Sequence, residues 1–223
     1  MRGRGLLAIL LLLALPARAN APVPDPTTTA MDVAPTLIRL EPGKPGLFYV
    51  RNGGSQPLMV EIRPMDWAQR DGRDQLTPSN TLFTSPPIVT IAPGARQSVR
   101  LLTRRTGVWR LLVSELPDPN TDAGRVKVML QFSVPVFAGD MGTPRLSWRA
   151  TPDGDAVRLQ VANAGTAPVR LRGAQLGGVA LAEGPLYLLA GSARAFTVRG
   201  AASLRVTGEE MLSGRALDAA AQP

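Results

Sequence analysis

Apolar and polar residues alternate along much of the chain in short runs, a pattern that predicts β-strands rather than helices. In the longest run, Val126–Phe137, every even position is apolar. Because side chains alternate faces along a strand, this run predicts one long strand with an apolar row on one face. Such a strand can cover the core of its own domain, or it can lend the row to another protein by pairing along an exposed edge. The row comprises Val126, Val128, Leu130, Phe132, Val134 and Val136.

Clusters of proline and glycine separate the apolar runs and predict turns between strands. The first half of the chain has as many predicted strands as an immunoglobulin-like domain contains, and the second half has a smaller set. The first set is Thr36–Leu40, Leu47–Asn52, Leu58–Trp67, Thr81–Ser85, Ala95–Leu102, Val108–Glu115 and Val126–Phe137. The second set is Arg145–Ala150, Ala156–Ala162, Val169–Leu176, Leu186–Leu189, Arg194–Arg199 and Leu204–Val206. The fold class is therefore predicted to be all-β, with two β-sandwich domains.

The N-terminus predicts export from the cytoplasm. Residues 1–19 combine a basic start, the apolar run Leu6–Leu15 and the A-x-A cleavage site Ala17–Ala19, which together are typical of a secretory signal peptide. The apolar run is shorter than the roughly 20 residues that a membrane-spanning helix needs. We therefore expect a mature chain that begins at Asn20, without stable membrane insertion. A short retained anchor is the alternative.

Composition sets the remaining boundaries. The first domain is predicted to span residues 20–138 and the second residues 145–211. The glycine-containing segment 139–144 is predicted to link them. Residues 212–223 are mostly small or polar, and a disordered tail is predicted there.

Two turns echo each other across the predicted domains. Val50–Pro57 matches Val161–Pro168, since each reads as a strand that ends in asparagine, a glycine-containing turn and a proline. Asparagine and glycine tolerate the backbone conformations that tight turns require. The echo indicates either two related domains or the general likeness of any two β-hairpins.

The residue types exclude several functions. There is no cysteine and no histidine, which removes disulfides, Ser-His and Cys-His nucleophiles and most zinc sites. Carboxylates, lysine, tyrosine and serine remain as catalytic candidates, but the acid pairs Glu209/Glu210 and Asp153/Asp155 lie in turn-like or tail-like contexts. We therefore predict no enzyme activity, no catalytic residues, no metal and no cofactor. Removal of residues 1–19 lowers the net charge from +8 to +5. The remaining arginines are scattered along the chain, so no nucleic-acid partner is predicted.

The order of several short motifs resembles the periplasmic chaperones of the chaperone–usher pilus pathway, over nearly the whole mature chain. The motifs are Val33–Leu40, Tyr49–Asn52, Trp67, Leu76–Ser79, Ser85–Ile88, Ile91–Gly94, Gln97–Leu101, Arg110–Pro117, Ser133–Phe137 and Tyr187–Ser192. The Ser133–Phe137 ending is similar to the archaic, spore-coat-U-like branch of that family.

The resemblance implies two immunoglobulin-like domains in a boomerang arrangement and a function in the periplasm. A pilus subunit of this pathway lacks its last strand, and the chaperone fills the gap with its own long strand before an outer-membrane usher receives the subunit. The partners implied are therefore pilus subunits and the usher. The donor residues implied are Val126, Val128, Leu130, Phe132 and Val134. Packing of this row inside its own domain is the alternative.

Other family members hold the C-terminal carboxylate of the subunit with an arginine on the first strand and a lysine on the long strand. This sequence departs from that pattern, because Pro135 stands about where the lysine is expected. Arg39 is a first-strand candidate. The preferred anchor is Arg110, which lies among apolar residues and needs a reason to be there. Arg100 is the next choice, and an exposed Arg110 on the outer face of its strand is the alternative.

A different class of function stays open, namely a structural pilin, adhesin or surface β-sandwich module. A pilin of this kind carries an N-terminal donor segment of alternating apolar residues. Residues 20–32 are proline-rich and do not alternate, which disfavours that interpretation.

Overall fold

The computed structural model describes residues 31–117, 129–210 and 215–222. Every regular element in these ranges is a β-strand, which confirms the all-β prediction. The predicted signal peptide lies outside the described residues, as do Val126 and Val128. Among the residues described, there is no helix with the length and apolar character needed to cross a membrane.

The N-terminal domain is a sandwich of two sheets. One sheet has the order β1-β3-β8-β6, and the other has the order β2-β10-β9-β4-β5 with β7 paired to β4. The strands are β1 Met31–Ala34, β2 Ile38–Leu40, β3 Gly46–Asn52, β4 Leu58–Arg70, β5 Arg73–Pro78, β6 Leu82–Ser85, β7 Ile88–Ile91, β8 Arg96–Thr103, β9 Gly107–Glu115 and β10 Gln131–Ala138. Alternate residues of both sheets fill the core between them, among them Phe48, Val50, Ile62, Leu101 and Leu111.

The start of the chain contributes to both sheets. β1 pairs with β3 in one sheet, whereas β2 pairs in parallel with β10 in the other. The parallel pairing covers only Val136–Ala138. Over Gln131–Pro135, β10 is therefore bonded to β9 on one side, and its outer edge pairs with no strand in the described part of the chain.

The C-terminal domain is a second sandwich. Its sheets have the orders β11-β12-β16 and β14-β13-β17-β18, with β15 paired to β13. The strands are β11 Leu146–Asp153, β12 Ala156–Asn163, β13 Val169–Leu176, β14 Val179–Ala180, β15 Leu186–Leu188, β16 Ala193–Arg199, β17 Arg205–Glu210 and β18 Arg215–Ala220. Its separate core contains Trp148, Leu159, Leu171, Leu186 and Val206.

The predicted disordered tail, residues 212–223, is wrong over Arg215–Ala220. These residues form β18 and pair antiparallel with the whole of β17. The Ala221 side chain is buried against the core, and the Gln222 carbonyl accepts the Ala150 N–H. The composition misled the prediction because backbone pairing at a sheet edge needs no large apolar side chain.

The two matching turns have the same structure. Asn52 and Asn163 are each 1 % exposed. The Asn52 amide donates to the carbonyls of Gln56 and Ile91 and accepts the Gly54 N–H. Asn163 likewise donates to the Ala167 carbonyl and accepts the Gly165 N–H. The echo in the sequence therefore marks the same asparagine-centred turn in both domains.

Candidate functional site

An aromatic cluster joins the two domains. Trp67 and Phe137 from the outer face of the β10-containing sheet pack against Tyr187 and Leu189 of the C-terminal domain. The Trp67 and Tyr187 rings meet edge to face with centroids 5.4 Å apart, a favourable geometry for aromatic pairs. Trp67 is only 4 % exposed. The outer face of this sheet is therefore covered at the cleft between the domains.

Arg110 lies in this cleft. Its guanidinium carbon is 3.8 Å from the Trp67 ring centroid and 4.8 Å from that of Tyr187. Its Nη1 donates to the Ser133 carbonyl at 3.4 Å, and its Nη2 is 3.8 Å from Asp74 Oδ2. The side chain is 12 % exposed. Burial lowers the pKa of Arg110, and the electrostatic interactions with Tyr187 and Asp74 act in the opposite direction.

This placement contradicts the alternative in which Arg110 is exposed on the outer face of its strand. The side chain points to the outer face of its sheet, yet the C-terminal domain covers it. Its immediate neighbours on β9, Trp109 and Leu111, face the core of the N-terminal domain. The apolar residues around Arg110 in the sequence are thus explained by the alternation of the strand.

Two more arginines approach the same tyrosine. Arg170 on β13 has its guanidinium carbon 5.7 Å from the Tyr187 ring centroid. Its Nε is buried and has no hydrogen-bond partner within the described ranges. Arg194 on β16 donates from Nε to the Gly72 carbonyl at 2.8 Å, across the domain boundary. Burial raises the pKa of Tyr187, and the positive charges of Arg170 and Arg110 partly offset this, so its phenol is neutral at physiological pH.

Gln69 connects the domains by hydrogen bonds. Its Oε1 accepts the Leu189 N–H at 2.8 Å and the Ser192 hydroxyl at 2.7 Å. Its Nε2 donates to the Tyr187 carbonyl at 2.9 Å and to Asp74 Oδ1 at 2.7 Å. Both the donor and the acceptor of this amide are therefore used, and three of its four bonds cross between domains.

The β4–β5 hairpin carries Gln69 and Asp74 to the cleft. Its turn, Asp71-Gly72, has positive φ at both residues, of 51° and 72°. Positive φ at both central residues is the geometry of a tight hairpin turn, which Asp-Gly adopts readily. The sequence predicts only a turn at this glycine, and β5 is too polar for an alternating pattern to mark it as a strand.

The described part of the predicted donor row divides into two parts. Val134 is 3 % exposed and belongs to the core of its own domain, together with Val136. The prediction that Val134 is a donor residue is therefore corrected, because its side chain is already buried. Leu130 and Phe132 are only partly buried at the end of that core. The apolar row thus fills its own domain at one end and remains partly uncovered at the other.

The remaining anchor candidates lie elsewhere. Arg39 is exposed on β2 and is the register partner of Phe137, so it lies beside the cleft. Arg100 is exposed on β8, in the sheet that contributes no residue to the aromatic cluster. The prediction of Arg100 as a cleft anchor is therefore wrong. Arg170 and Arg194 were missed because β13 and β16 alternate like any half-buried strand, and nothing local indicates that they face another domain.

Comparison with known proteins identifies the family of the first domain. Residues 30–139 match the model for pili and flagellar-assembly chaperones, PapD N-terminal domain. Among curated proteins, no sequence match was found.

Solved structures extend the likeness to both domains. A chain of the complex between the chaperone CsuC and the tip adhesion subunit CsuE, from archaic Csu pili of Acinetobacter baumannii, is 21% identical with a TM-score of 0.68, and the match covers 87% of this chain and 99% of that one. The E. coli chaperone DraB is 15% identical with a TM-score of 0.65, over 86% of this chain and 96% of its own. A chain of the Salmonella enterica SafA pilin–SafB chaperone complex is 13% identical with a TM-score of 0.62, over 86% of this chain and 91% of that one.

The fold is that of the two-domain β-sandwich chaperones of pilus assembly. The first domain, residues 30–139, belongs to the pili and flagellar-assembly chaperones. This family is periplasmic and is not one of enzymes. The structural pilin or adhesin alternative is not supported by these matches.

Proposed function

We propose that this chain belongs to the archaic branch, binds pilus subunits by donor-strand complementation and delivers them to an outer-membrane usher. The observation that carries this proposal is the half-open strand β10. Over Gln131–Pro135 its outer edge has no strand partner in the described ranges, and its apolar row is incompletely covered at Leu130 and Phe132. An extended segment that pairs along such an edge gains backbone hydrogen bonds and covers the exposed side chains.

The apolar row supplies the gain in free energy. Full burial of a leucine or phenylalanine side chain stabilises by about 1.5–3 kcal/mol. Leu130 and Phe132 are already partly buried, so each contributes less than this on binding. The loss of translational and rotational freedom on association opposes the gain. Val126 and Val128 remain proposed donor residues that extend the row.

Arg110 is the proposed anchor for the C-terminal carboxylate of the subunit. It is the register partner of Pro135 on β10, so it lies beside the strand that receives the subunit. Phe132 is three residues further along, roughly 10 Å at the usual rise of a strand. A subunit strand whose carboxylate meets Arg110 therefore lies alongside Phe132. Arg39, exposed at the edge of the same face, is the secondary candidate.

Export precedes this function. We propose that residues 1–19 are removed as a signal peptide, that the mature protein begins at Asn20, and that the chain acts in the periplasm. Mass spectrometry of the protein released by osmotic shock tests the cleavage site. Recovery of an intact Met1 terminus in the membrane fraction would contradict it.

The donor row is tested by capture of a co-expressed pilus subunit. Phe132→Asp places a carboxylate in an apolar groove without a partner, which is costly, so recovery of the complex should fall below detection. Gln131→Asp, with the same charge on the opposite face, is the matched control and should retain capture. Circular dichroism of each free variant checks folding. Equal loss of capture in both variants would overturn the assigned face, and unfolding of free Phe132→Asp would favour packing of the row in its own domain.

A further inference from the structure

We propose that Arg170 of the C-terminal domain is the second arm of the carboxylate-binding site, so that a bound carboxylate is held by both domains together. This inference rests on the proposed function, because the carboxylate is that of the subunit proposed to bind Arg110. It adds a residue from the opposite side of the cleft to an anchor otherwise confined to the N-terminal domain.

The geometry of Tyr187 brings the two arginines together. The guanidinium carbons of Arg110 and Arg170 lie 4.8 Å and 5.7 Å from the centroid of this one ring. Each arginine comes from a different domain, on β9 and β13. Tyr187 itself packs against Trp67, so this one ring contacts Trp67 and both guanidinium groups.

The hydrogen bonds of the cleft leave Arg170 without an anionic partner. Its Nε is buried and unpaired within the described ranges, and no carboxylate there lies within ion-pair distance of it. Arg172, two residues away on the same strand, differs in this respect, because it is exposed and lies 4.0 Å from Glu209. A buried donor without an acceptor is unfavourable, so an acceptor supplied by a ligand stabilises the cleft.

The charge balance points the same way. The charges of Arg170 and Arg194 both act on Arg110, and Asp74 is the carboxylate that acts on it in the described part of the chain. Asp74 is 3.8 Å from Arg110, is partly exposed, and already accepts a hydrogen bond from Gln69. Arg194 is engaged with the Gly72 carbonyl. In the described part of the chain, the cleft is therefore short of negative charge, and Arg170 has a buried Nε donor without a partner.

A carboxylate is the ligand that fits this arrangement. The planar guanidinium fork matches the two oxygens of a carboxylate, and hydrogen bonds between charged partners are stronger than neutral ones. Two forks that approach one ring from opposite domains can each take one oxygen. The occupant lies at the end of a strand paired along β10, which identifies the carboxylate as a chain terminus.

The test compares two synthetic peptides of alternating apolar residues, one with a free C-terminal carboxylate and one with a C-terminal amide. Isothermal titration calorimetry measures the affinity of the wild-type protein for each. Loss of a charge-assisted hydrogen bond corresponds to about a tenfold or larger change in affinity, so the wild type should prefer the acid by at least that factor. Arg170→Met should lose most of this preference, and Arg170→Lys should restore part of it, because lysine keeps the charge but not the fork.

The matched control is Arg172→Met, on the same strand and face, which should retain the full preference. Full preference in Arg170→Met, with loss in Arg110→Met, would overturn the two-domain site and leave the Arg110 anchor intact. Absence of preference in the wild type would overturn both. Because the acid-to-amide ratio is measured within one variant, a general loss of stability cannot imitate the expected result. If Arg170→Met does not fold, the test uses Arg170→Lys alone. That variant should keep only part of the preference for the acid peptide, and full preference in it would contradict the proposal.

Discussion

Gln69 is expected to hold the two domains in their relative orientation, and Gln69→Ala tests this directly. The substitution removes the acceptor of the Leu189 N–H and the Ser192 hydroxyl, and the donor to the Tyr187 carbonyl. An intramolecular hydrogen bond contributes about 0.5–1.5 kcal/mol net, and a buried group left unsatisfied costs about 1–3 kcal/mol. Because each domain has its own core, the loss should fall on the contact between the domains rather than on either fold.

Hydrogen exchange of the Leu189 amide measures this loss at the bond itself. A weakening of about 1.4 kcal/mol corresponds to a tenfold decrease in protection, so a decrease of about tenfold or more is expected in Gln69→Ala. The Leu181 amide, which bonds within the C-terminal domain to Ala174, is the internal reference and should be unchanged. Gln75→Ala, at an exposed position on the same hairpin, is the matched control. Unchanged protection of Leu189 in Gln69→Ala would refute the reasoning, and equal loss at Leu181 would show that the domain itself is destabilised.

Three further predictions concern single residues. Asp74→Asn removes the negative charge next to Arg110 and retains an oxygen that accepts the hydrogen bond from Gln69. Because partly exposed ion pairs contribute less than about 1 kcal/mol, the affinity for the acid peptide should rise by roughly threefold. Weaker binding in calorimetry would contradict this. Burial raises the pKa of Tyr187 in the folded protein above its ordinary value near 10. The stabilisation tied to the neutral phenol is therefore complete below the ordinary pKa and is lost as pH rises through the pKa of the folded state. Tyr187→Phe should accordingly flatten the alkaline decline in melting temperature. Val134→Ala should destabilise the free protein by about 1–3 kcal/mol in urea unfolding because the side chain is in the core, whereas unchanged stability would return Val134 to the donor row.

Local patterns of the sequence, namely the alternation of apolar and polar residues and the matching turns, predicted parts of the fold correctly. The row from Leu130 to Val136 lies on one face of a strand, and the asparagine turns at Asn52 and Asn163 have one structure. Alternation alone cannot show which part of such a row its own domain covers, since that depends on how far the opposite sheet extends. Val134 was assigned to the partner for this reason.

The cleft was predictable only in part because its contacts are remote in the sequence. The sequence around Arg110 predicts a partner for it, because a charged residue among apolar ones requires one. Its contacts come from Trp67 and Asp74 of its own domain and from Tyr187 of the other domain. The bond between Gln69 and the Tyr187 carbonyl spans 118 positions of the sequence. No local pattern encodes such a contact, because it arises only when two completed sandwiches meet.

In the cleft, the residues that join the two domains differ from the residues proposed to bind a carboxylate. Gln69 is neutral and uses its amide fully in bonds that are insensitive to pH, and the aromatic cluster adds apolar contact area. Neither uses the donors of Arg170. If arginine–carboxylate pairs joined the domains instead, an incoming carboxylate would compete with them, and binding would loosen the cleft. Because a neutral amide provides the contact, a carboxylate that binds Arg110 and Arg170 adds to the contact between the domains. The same reasoning requires that the free acid peptide increase protection of the Leu189 amide, and that its amide counterpart do so less.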